Sequence, residues 1–295
     1  MAVTTSTAPE LRHSELNSAG TAVGSPVRSF LRLSSYLILT LVLMPAQAAM
    51  LLLGGKSWLC IPTWYHGLCG RLLGFELDVR GTLATDRPVL FVCNHNSYLD
   101  ITVLGSVIPG SFVAKAEVAG WPLFGRLAKL QRTVFVDRRR GTTHNQRDDM
   151  SRRLAAGDNL ILFPEGTSSD GNRILPFRSA LFSVAERKLT GQGGDRHLTV
   201  QPVTLAYTHL NGVPLGRAYR PYLAWYGEMS LFSHLWRAAG LGRVRIRIEL
   251  HDPVDPAQFG SRKALSAYCQ DRIAAGMASA LTGRPAEKLA ARADS

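Results

Sequence analysis

The most apolar part of the chain lies near its N-terminus. No charged residue occurs between Arg32 and Lys56, and this run is long enough to cross the hydrocarbon core of a bilayer. Pro45 interrupts it, which predicts a kink or a division into two shorter helical halves. Ala46-Gln47-Ala48 resembles a signal-peptidase site, but the long segment before the apolar run disfavours that alternative.

A second apolar stretch, 58–75, mixes aromatic with aliphatic residues, as helices at the membrane boundary do. A buried core helix is the alternative for this stretch. We predict membrane-associated helices over 28–74. Residues 1–27 are rich in Ser, Thr, Ala and Gly without an apolar period, which predicts a disordered tail.

From residue 75 onward the pattern is that of a globular domain, which we predict over 75–282. Short apolar runs separated by helical patterns predict an α/β fold with a largely parallel or mixed sheet that helices cover on both faces. The predicted strands are 88–93, 112–114, 133–136, 159–163 and 199–206, and the predicted helices are 143–156 and the stretch after Ile174.

The C-terminal part shows two further patterns. Residues 243–250 alternate strictly between Arg or Glu and aliphatic residues, which predicts a half-exposed strand at a sheet edge. Residues 262–281 predict an amphipathic helix that Ser261 caps. Residues 283–295 are polar, which predicts a flexible end.

The charge of the chain indicates an anionic partner. The formal net charge is +12, and 46% of the 295 residues are hydrophobic. The candidates are nucleic acid, anionic lipid and a phosphorylated substrate, and the lack of a nucleic-acid-binding motif disfavours the first. The four cysteines form no C-x-x-C pair, which predicts free thiols and no metal site.

A polar cluster follows the predicted strand 88–93, at the kind of strand end where α/β sheets form sites. Ser97 and Asp100 have the spacing of a capping box, which places His95 in the loop before the helix. From there the imidazole can fold back onto the Asp100 carboxylate, as in acyl-transfer enzymes. These residues alone equally allow Asp100 to be a helix cap and His95 an ordinary loop residue.

Two more clusters follow predicted strands. Residues 164–171 combine Glu165 with small residues, and Gly166 permits close backbone approach. Residues 138–140 are three arginines at another strand end, which favours an anion site over a solvated charge run.

In order and spacing, these clusters resemble PlsC-type glycerolipid acyltransferases, which include the 1-acylglycerol-3-phosphate acyltransferases. The resemblance covers about 75–250. It rests on four blocks and one connecting segment: Asn-His-x4-Asp at 94–100, Phe-Val-Asp-Arg at 135–138, Phe-Pro-Glu-Gly-Thr at 163–167, Val-x-Pro-Val at 200–203, and Lys-x-Glu with Pro and Gly at 115–125.

The resemblance implies an O-acyltransferase in which His95 is the general base and Asp100 orients it. It also implies a lysolipid acceptor and an acyl thioester donor, acyl carrier protein or coenzyme A, with no metal and no other cofactor. Acyl thioesters are made in the cytoplasm, so the expected location is the cytoplasmic face of the inner membrane. The residues expected to bind substrate are Asn94, Lys115, Arg138, Glu165, Gly166, Thr167, Ser168, Val200 and Pro202.

One departure concerns the acceptor. Lysophosphatidate enzymes usually carry Arg after Glu-Gly-Thr, where this chain has Ser168. The run 165–179 looks more like the lyso-ornithine lipid branch, although Arg173 or Arg178 offers an alternative phosphate ligand. A metal hydrolase using His95, Asp100 and Glu165, and a non-catalytic lipid-binding protein, are the competing classes.

Overall fold

A computed structural model describes residues 24–86, 88–136, 143–186, 189–191, 194–196 and 198–284 of the chain. The predicted N-terminal tail up to residue 23, the end from 285 onward and Arg138 lie outside the described residues. The division of the chain into a tail, membrane helices and a catalytic domain therefore stays a prediction.

The N-terminal apolar run forms one long helix, α1 (Pro26–Leu53). Ser25 caps it, because its hydroxyl accepts a hydrogen bond from the Arg28 amide. The helix continues through Pro45, so it is one element and not two halves. It is the one described helix that is long and apolar enough to cross a membrane, and most of its apolar surface is exposed.

The second apolar stretch forms α2 (Cys60–Leu73), which ends at Gly74 in the left-handed conformation. The remaining helices are α3 (Leu99–Val107), α4 (Phe124–Leu130), α5 (Thr143–Ala155), α6 (Leu231–Gly240) and α7 (Arg262–Thr282). The strands are β1 (Phe75–Gly81), β2 (Val89–Cys93), β3 (Ser111–Lys115), β4 (Val134–Val136), β5 (Leu160–Leu162), β6 (Leu189–Gly191), β7 (Gly194–Arg196), β8 (Thr199–Leu210), β9 (Val213–Pro214) and β10 (Val244–Leu250).

The sheet confirms the predicted mixed α/β class. Its order is β1-β10-β8-β2-β5-β3-β4, with β9 paired to β8, and β6 and β7 form a separate hairpin. The neighbours from β8 through β2, β5 and β3 to β4 run parallel. Their carboxyl ends therefore meet at one edge of the sheet, where α/β proteins place their sites.

Both faces of the central strands are covered. Val89, Phe91 and Cys93 of β2 belong to one buried cluster, and Leu90 and Val92 belong to the other. Side chains of a strand alternate between its faces, so these two clusters are the cores on either side of the sheet. This explains why the predicted strands read as unbroken apolar runs.

The expectation that 243–250 lies at a sheet edge is wrong. β10 lies between β8 and β1, and β1 was not predicted as a strand. The alternation itself is confirmed, because Val244 and Ile246 are buried while Arg245 is exposed. The arginines of β10 face acidic residues of β1, and Arg247 Nε lies 3.0 Å from Asp78 Oδ2.

Two other predicted elements have different outcomes. The stretch after Ile174 forms only a 3₁₀ helix, Ser179–Glu186, and not an α-helix. The helix predicted after Ser261 is confirmed as α7, and the Ser261 hydroxyl accepts a hydrogen bond from the Ala264 amide.

Candidate active site

The loop between β2 and α3 brings His95 and Asp100 together. His95 lies in the loop and Asp100 in the first turn of α3, and His95 Nδ1 is 2.9 Å from Asp100 Oδ2. The Asp100 side chain is fully buried, whereas 21% of the His95 side chain is exposed. Such a pair fixes the imidazole in one orientation and leaves its Nε2 atom available to a substrate.

The Asp100 carboxylate is held from several directions. Oδ2 accepts hydrogen bonds from the amides of Asn96 (2.7 Å) and Ser97 (2.9 Å), and Oδ1 accepts one from the Tyr207 hydroxyl (2.8 Å). Burial raises the pKa of Tyr207 well above its usual value, so its hydroxyl stays protonated and donates. The carboxylate is thus compensated although it is buried.

Half of the predicted capping box is present. The Asp100 carboxylate reaches back to the Ser97 amide, but the Ser97 hydroxyl accepts from Leu99 (3.4 Å) and not from Asp100. Residue Tyr98 occupies the N-cap position in place of Ser97. The helix thus begins one residue later than predicted, although Tyr98 already has helical backbone angles.

Asn94 anchors the loop to the sheet. Its side-chain amide donates to the Leu205 carbonyl and accepts from the Leu205 amide, both at 2.9 Å. Asn94 is buried, and these bonds resemble a rung of the sheet ladder. The structure therefore places this side chain on the backbone of β8.

Glu165 holds the backbone of His95 in place. Its Oε1 accepts a hydrogen bond from the His95 amide (2.7 Å), and its Oε2 accepts one from the Leu175 amide (2.8 Å). The carbonyl of His95 accepts a bond from the Ser169 amide (2.9 Å). Burial raises the pKa of Glu165 to about 7. The loop that follows β5 therefore holds the backbone of His95 on both sides.

His95 borders an apolar cavity of about 410 Å³, a size typical of small-molecule sites. The Phe163 ring stacks on the imidazole with ring centroids 4.1 Å apart. Helices α1 and α2 also line the cavity, through Tyr36 and Met44 of α1 and Tyr65 of α2 among others. An apolar chamber beside a His–Asp pair suits a substrate with a long hydrocarbon chain.

Comparison with known proteins decides the family. The family model described as "Acyltransferase" matches residues 76–206. A lyso-ornithine lipid O-acyltransferase of Brucella abortus is 41% identical over 88% of this chain and 97% of its own length. One from Rhizobium meliloti is 40% identical over 84% of this chain and 85% of its own length.

The chain belongs to the PlsC-type acyltransferase family. A 1-acyl-sn-glycerol-3-phosphate acyltransferase of Neisseria meningitidis is 33% identical over 70% of this chain and 76% of its own length. The fold matches the 1-acyl-sn-glycerophosphate (LPA) acyltransferase PlsC from Thermotoga maritima with a TM-score of 0.62. That match is 21% identical and covers 88% of this chain and 98% of the other.

In this acyltransferase the residues expected to bind substrate fall into separate places. Lys115, Gly166, Thr167 and Ser168 line the cavity. Asn94 and Glu165 instead bond backbone groups of the site, as described above. Val200 and Pro202 are buried in β8, and Val200 packs in the core on one face of the sheet. Neither residue is among the described residues that line the cavity, so the expectation that they bind substrate is not met there, because both lie in the middle of the sheet.

The residue at the family's arginine position has a structural partner. The Ser168 hydroxyl donates to the Trp225 carbonyl, and the Trp225 amide donates to the Asn96 carbonyl (2.9 Å). Arg173 and Arg178 are exposed, and neither is among the described residues that line the cavity. The loop at 225 thus joins two predicted blocks of this acyltransferase.

Sequence reasoning missed Tyr207 and Trp225. No local pattern points to Tyr207: its place follows from the pairing of β8 with β2, in which Val203 lies opposite Cys93 and the residues after Val203 extend beyond the end of β2 towards the site. Trp225 has no signal either, because it lies in a loop outside all the recognised blocks. Its ring packs edge-on against Tyr98 and Trp121 beside the cavity.

Proposed function

We propose that this acyltransferase transfers a fatty acyl group from an acyl thioester to the free hydroxyl of lyso-ornithine lipid. The observation that carries the proposal is the His95–Asp100 pair, with 2.9 Å between Nδ1 and Oδ2, beside an apolar cavity. The two relatives at 40 and 41% identity, both named for this acceptor, support the choice of lysolipid.

His95 acts as the general base. Because Asp100 holds Nδ1, the Nε2 atom takes the acceptor's hydroxyl proton while that oxygen attacks the thioester carbonyl carbon. Asp100 stabilises the imidazolium that forms. The carbon–sulfur bond then breaks, the thiolate takes the proton from the imidazolium, and an ester and a free thiol result. This route needs no covalent acyl-enzyme, no metal and no cofactor besides the donor thioester.

The charges of the cavity suit a zwitterionic headgroup. Within the described part of the chain, Lys115 and Glu117 are the lining residues with formally charged side chains, one of each sign. Lyso-ornithine lipid carries a carboxylate and an amine, which pair with opposite charges. A lysophosphatidate carries a phosphate monoester, whose natural partner is a bidentate arginine.

A second candidate acceptor is 1-acyl-sn-glycerol-3-phosphate. The observation that favours it is the 33% identity to the Neisseria meningitidis enzyme of that name. Lys115 at the cavity offers one cation to its phosphate. Arg138, at the family's second block, is the further cation that the sequence suggests for this role.

The enzyme acts at a membrane. The exposed apolar side chains of α1, including Phe30, Leu41 and Val42, favour membrane association, as does the lipid chemistry of the relatives. We place the catalytic domain, 75–282, at the cytoplasmic face of the inner membrane, with 28–74 as its membrane-associated helices. The donor thioesters are made in the cytoplasm, and the four cysteines are free thiols, as expected in a reducing compartment.

Acylation of defined lysolipids tests the proposal. Detergent-purified full-length enzyme is given acyl carrier protein or coenzyme A thioesters with lyso-ornithine lipid or lysophosphatidate, and products are identified by mass spectrometry. We expect diacylated ornithine lipid as the main product, and a loss of about 10²–10⁴-fold in His95→Ala, as general-base catalysis contributes. Efficient acylation of lysophosphatidate with no product from lyso-ornithine lipid overturns the assignment of lyso-ornithine lipid as the acceptor. Near-normal turnover in a folded His95→Ala variant overturns the mechanism.

A further inference from the structure

Helix α6 is fixed alongside the N-terminal half of α1. The Ser29 hydroxyl donates to the Trp236 carbonyl (2.8 Å), and the Arg28 guanidinium donates to the Gly240 carbonyl (3.3 Å). Arg32 donates to the carbonyls of Ala239 (3.1 Å) and Leu241 (2.7 Å). The bonds to Ala239, Gly240 and Leu241 satisfy carbonyls at the C-terminal end of α6, where helical partners run out. The two helices run antiparallel and are held as one unit.

The outer face of α6 is apolar and exposed. Phe232 is 75% exposed and Trp236 is 43% exposed, and their i, i+4 spacing places them on the same side of the helix. On α1, Phe30 and Leu37 are also exposed, at 61% and 45%. A surface of this kind, built from large apolar side chains on adjacent elements, marks an interaction site.

The inner face of α6 belongs to the cavity. Leu231 and Leu235 line the chamber that His95 borders, together with Leu33 and Tyr36 of α1. Helix α6 therefore has the cavity on one side and solvent-exposed aromatic residues on the other. Helix α6 thus separates the active-site cavity from the surroundings of Phe232 and Trp236.

We propose that α6 lies in the lipid interface beside α1, as a further membrane-contacting helix, and that it separates the bilayer from the cavity. The occupant of its outer face is the bilayer, because α6 is bonded directly to α1, the described helix that is long, apolar and exposed enough to enter a membrane. Tryptophan and phenylalanine on a short amphipathic helix are the side chains that suit the headgroup boundary. An acceptor lipid then reaches the cavity past α6 without leaving the membrane. This inference rests on the proposed membrane association but not on the identity of the acceptor.

Site-directed fluorescence tests this placement. Cys60 is the exposed cysteine, so it is changed to serine in the full-length chain, and an environment-sensitive probe is attached at Phe232→Cys. Matched probes at Phe30→Cys of α1 and Val213→Cys of β9 replace residues of similar exposure, 61% and 66%. The labelled proteins are reconstituted in vesicles whose acyl chains are brominated, and separately exposed to aqueous iodide.

We expect the probe at 232 to behave like the probe at 30, losing at least about half of its fluorescence to brominated chains and little to iodide, because interfacial helices bury their apolar face below the headgroups. The probe at 213 should show the reverse. If bromine quenches the probe at 30 but only iodide quenches the probe at 232, the placement of α6 in the lipid interface is wrong while the membrane association of α1 stands. A probe at 232 that both quenchers leave unchanged indicates a protein contact, such as a second copy, and also overturns it. Lack of bromine quenching at 30 overturns the membrane association itself.

Kinetics provide an independent readout. The variant Phe232→Gln/Trp236→Gln changes only exposed side chains that do not line the cavity. In mixed micelles we expect the KM for the acceptor, expressed as its surface concentration, to rise several-fold while kcat is unchanged. The reason is that a less apolar α6 holds the cavity less firmly against the micelle from which the acceptor enters. Val79→Gln/Val213→Gln, which removes exposed apolar residues from β1 and β9, should leave both constants unchanged. Equal constants for wild type and the α6 variant contradict the proposal.

Discussion

The carboxylate of Asp100 serves both the fold and the proposed chemistry, and two substitutions separate these roles. In Asp100→Ala four hydrogen-bond donors lose the acceptor that the carboxylate provides. They are the ring nitrogen of His95, the amides of Asn96 and Ser97, and the hydroxyl of Tyr207. A buried donor left unpaired costs about 1–3 kcal/mol, so the three buried donors, the two amides and the Tyr207 hydroxyl, together cost at least ~3 kcal/mol. That is a large part of the 5–15 kcal/mol by which domains are typically stable.

Asp100→Asn should keep most of this stability. Its carbonyl oxygen can take the place of Oδ2 and accept the bonds from His95, Asn96 and Ser97. Its NH₂ group then faces Tyr207, whose hydroxyl can rotate to accept. What is lost is the charge: charge-assisted bonds give way to neutral ones, which are weaker but leave no buried donor unpaired. We therefore expect Asp100→Asn to fold with a moderately lower melting temperature.

Catalysis should nevertheless fall steeply in Asp100→Asn, by about 10²–10⁴-fold, because the neutral amide does not stabilise the imidazolium that forms as His95 takes the proton. Thermal unfolding in detergent and initial rates of acyl transfer, measured on the same preparations, check both halves. Tyr207→Phe is the matched control, since it removes one donor to Oδ1 and leaves the three bonds to Oδ2. An Asp100→Asn enzyme with turnover close to wild type refutes the reasoning about charge. An Asp100→Ala protein as stable as Asp100→Asn refutes the reasoning about unpaired donors.

Three further predictions follow from the site and the membrane helix. Burial raises the pKa of Glu165 to about 7 from 4.5, so its contribution to stability is full below about pH 4.5 and is lost, by roughly 3 kcal/mol, as pH rises through 7. The melting temperature of wild type should therefore fall relative to that of Glu165→Gln between pH 4.5 and pH 8. A difference that stays constant over this range contradicts the prediction. Ser168→Arg removes the bond to Trp225 and adds a cation at the cavity. The preference for lysophosphatidate over lyso-ornithine lipid, measured as the ratio of their kcat/KM values, should therefore rise by a factor equivalent to about 1–3 kcal/mol. An unchanged ratio shows that position 168 does not face the headgroup. Full-length protein should stay on membranes in high salt, because apolar burial by α1 is not screened as charge is, and quantitative release by salt alone contradicts the membrane role of α1.

Local sequence patterns determined much of the site. An apolar strand, a polar cluster and a helix follow one another at 88–107, and this order placed His95 in a loop from which it can reach Asp100. It allowed the pair without deciding it, and the resemblance to a known family decided. The strand-end position of Glu165 and its neighbours was likewise predicted from the run before them. These inferences succeed because parallel strands bring their carboxyl ends to one edge, so residues far apart in sequence share a location through a local rule.

Tertiary contacts decided what each side chain does at that edge. Glu165 and Val200 were both expected to bind substrate. The Glu165 carboxylate instead accepts a hydrogen bond from the His95 amide, and Val200 packs in the core. β1 was not predicted, and it turned β10 from an edge strand into an internal one. Such outcomes depend on which partner a buried polar or apolar group meets, and that partner comes from a distant segment.

The sequence by itself therefore determined the class of fold, the apolar character of α1 and, through its resemblance to a known family, the His95–Asp100 pair. Only the tertiary structure brought Tyr207 to Asp100 and set α6 between the cavity and an exposed apolar surface. The physical reason is range: period, capping and strand-end rules act over a few residues, whereas a buried hydrogen bond between residues 107 positions apart leaves no mark on the sequence around either one.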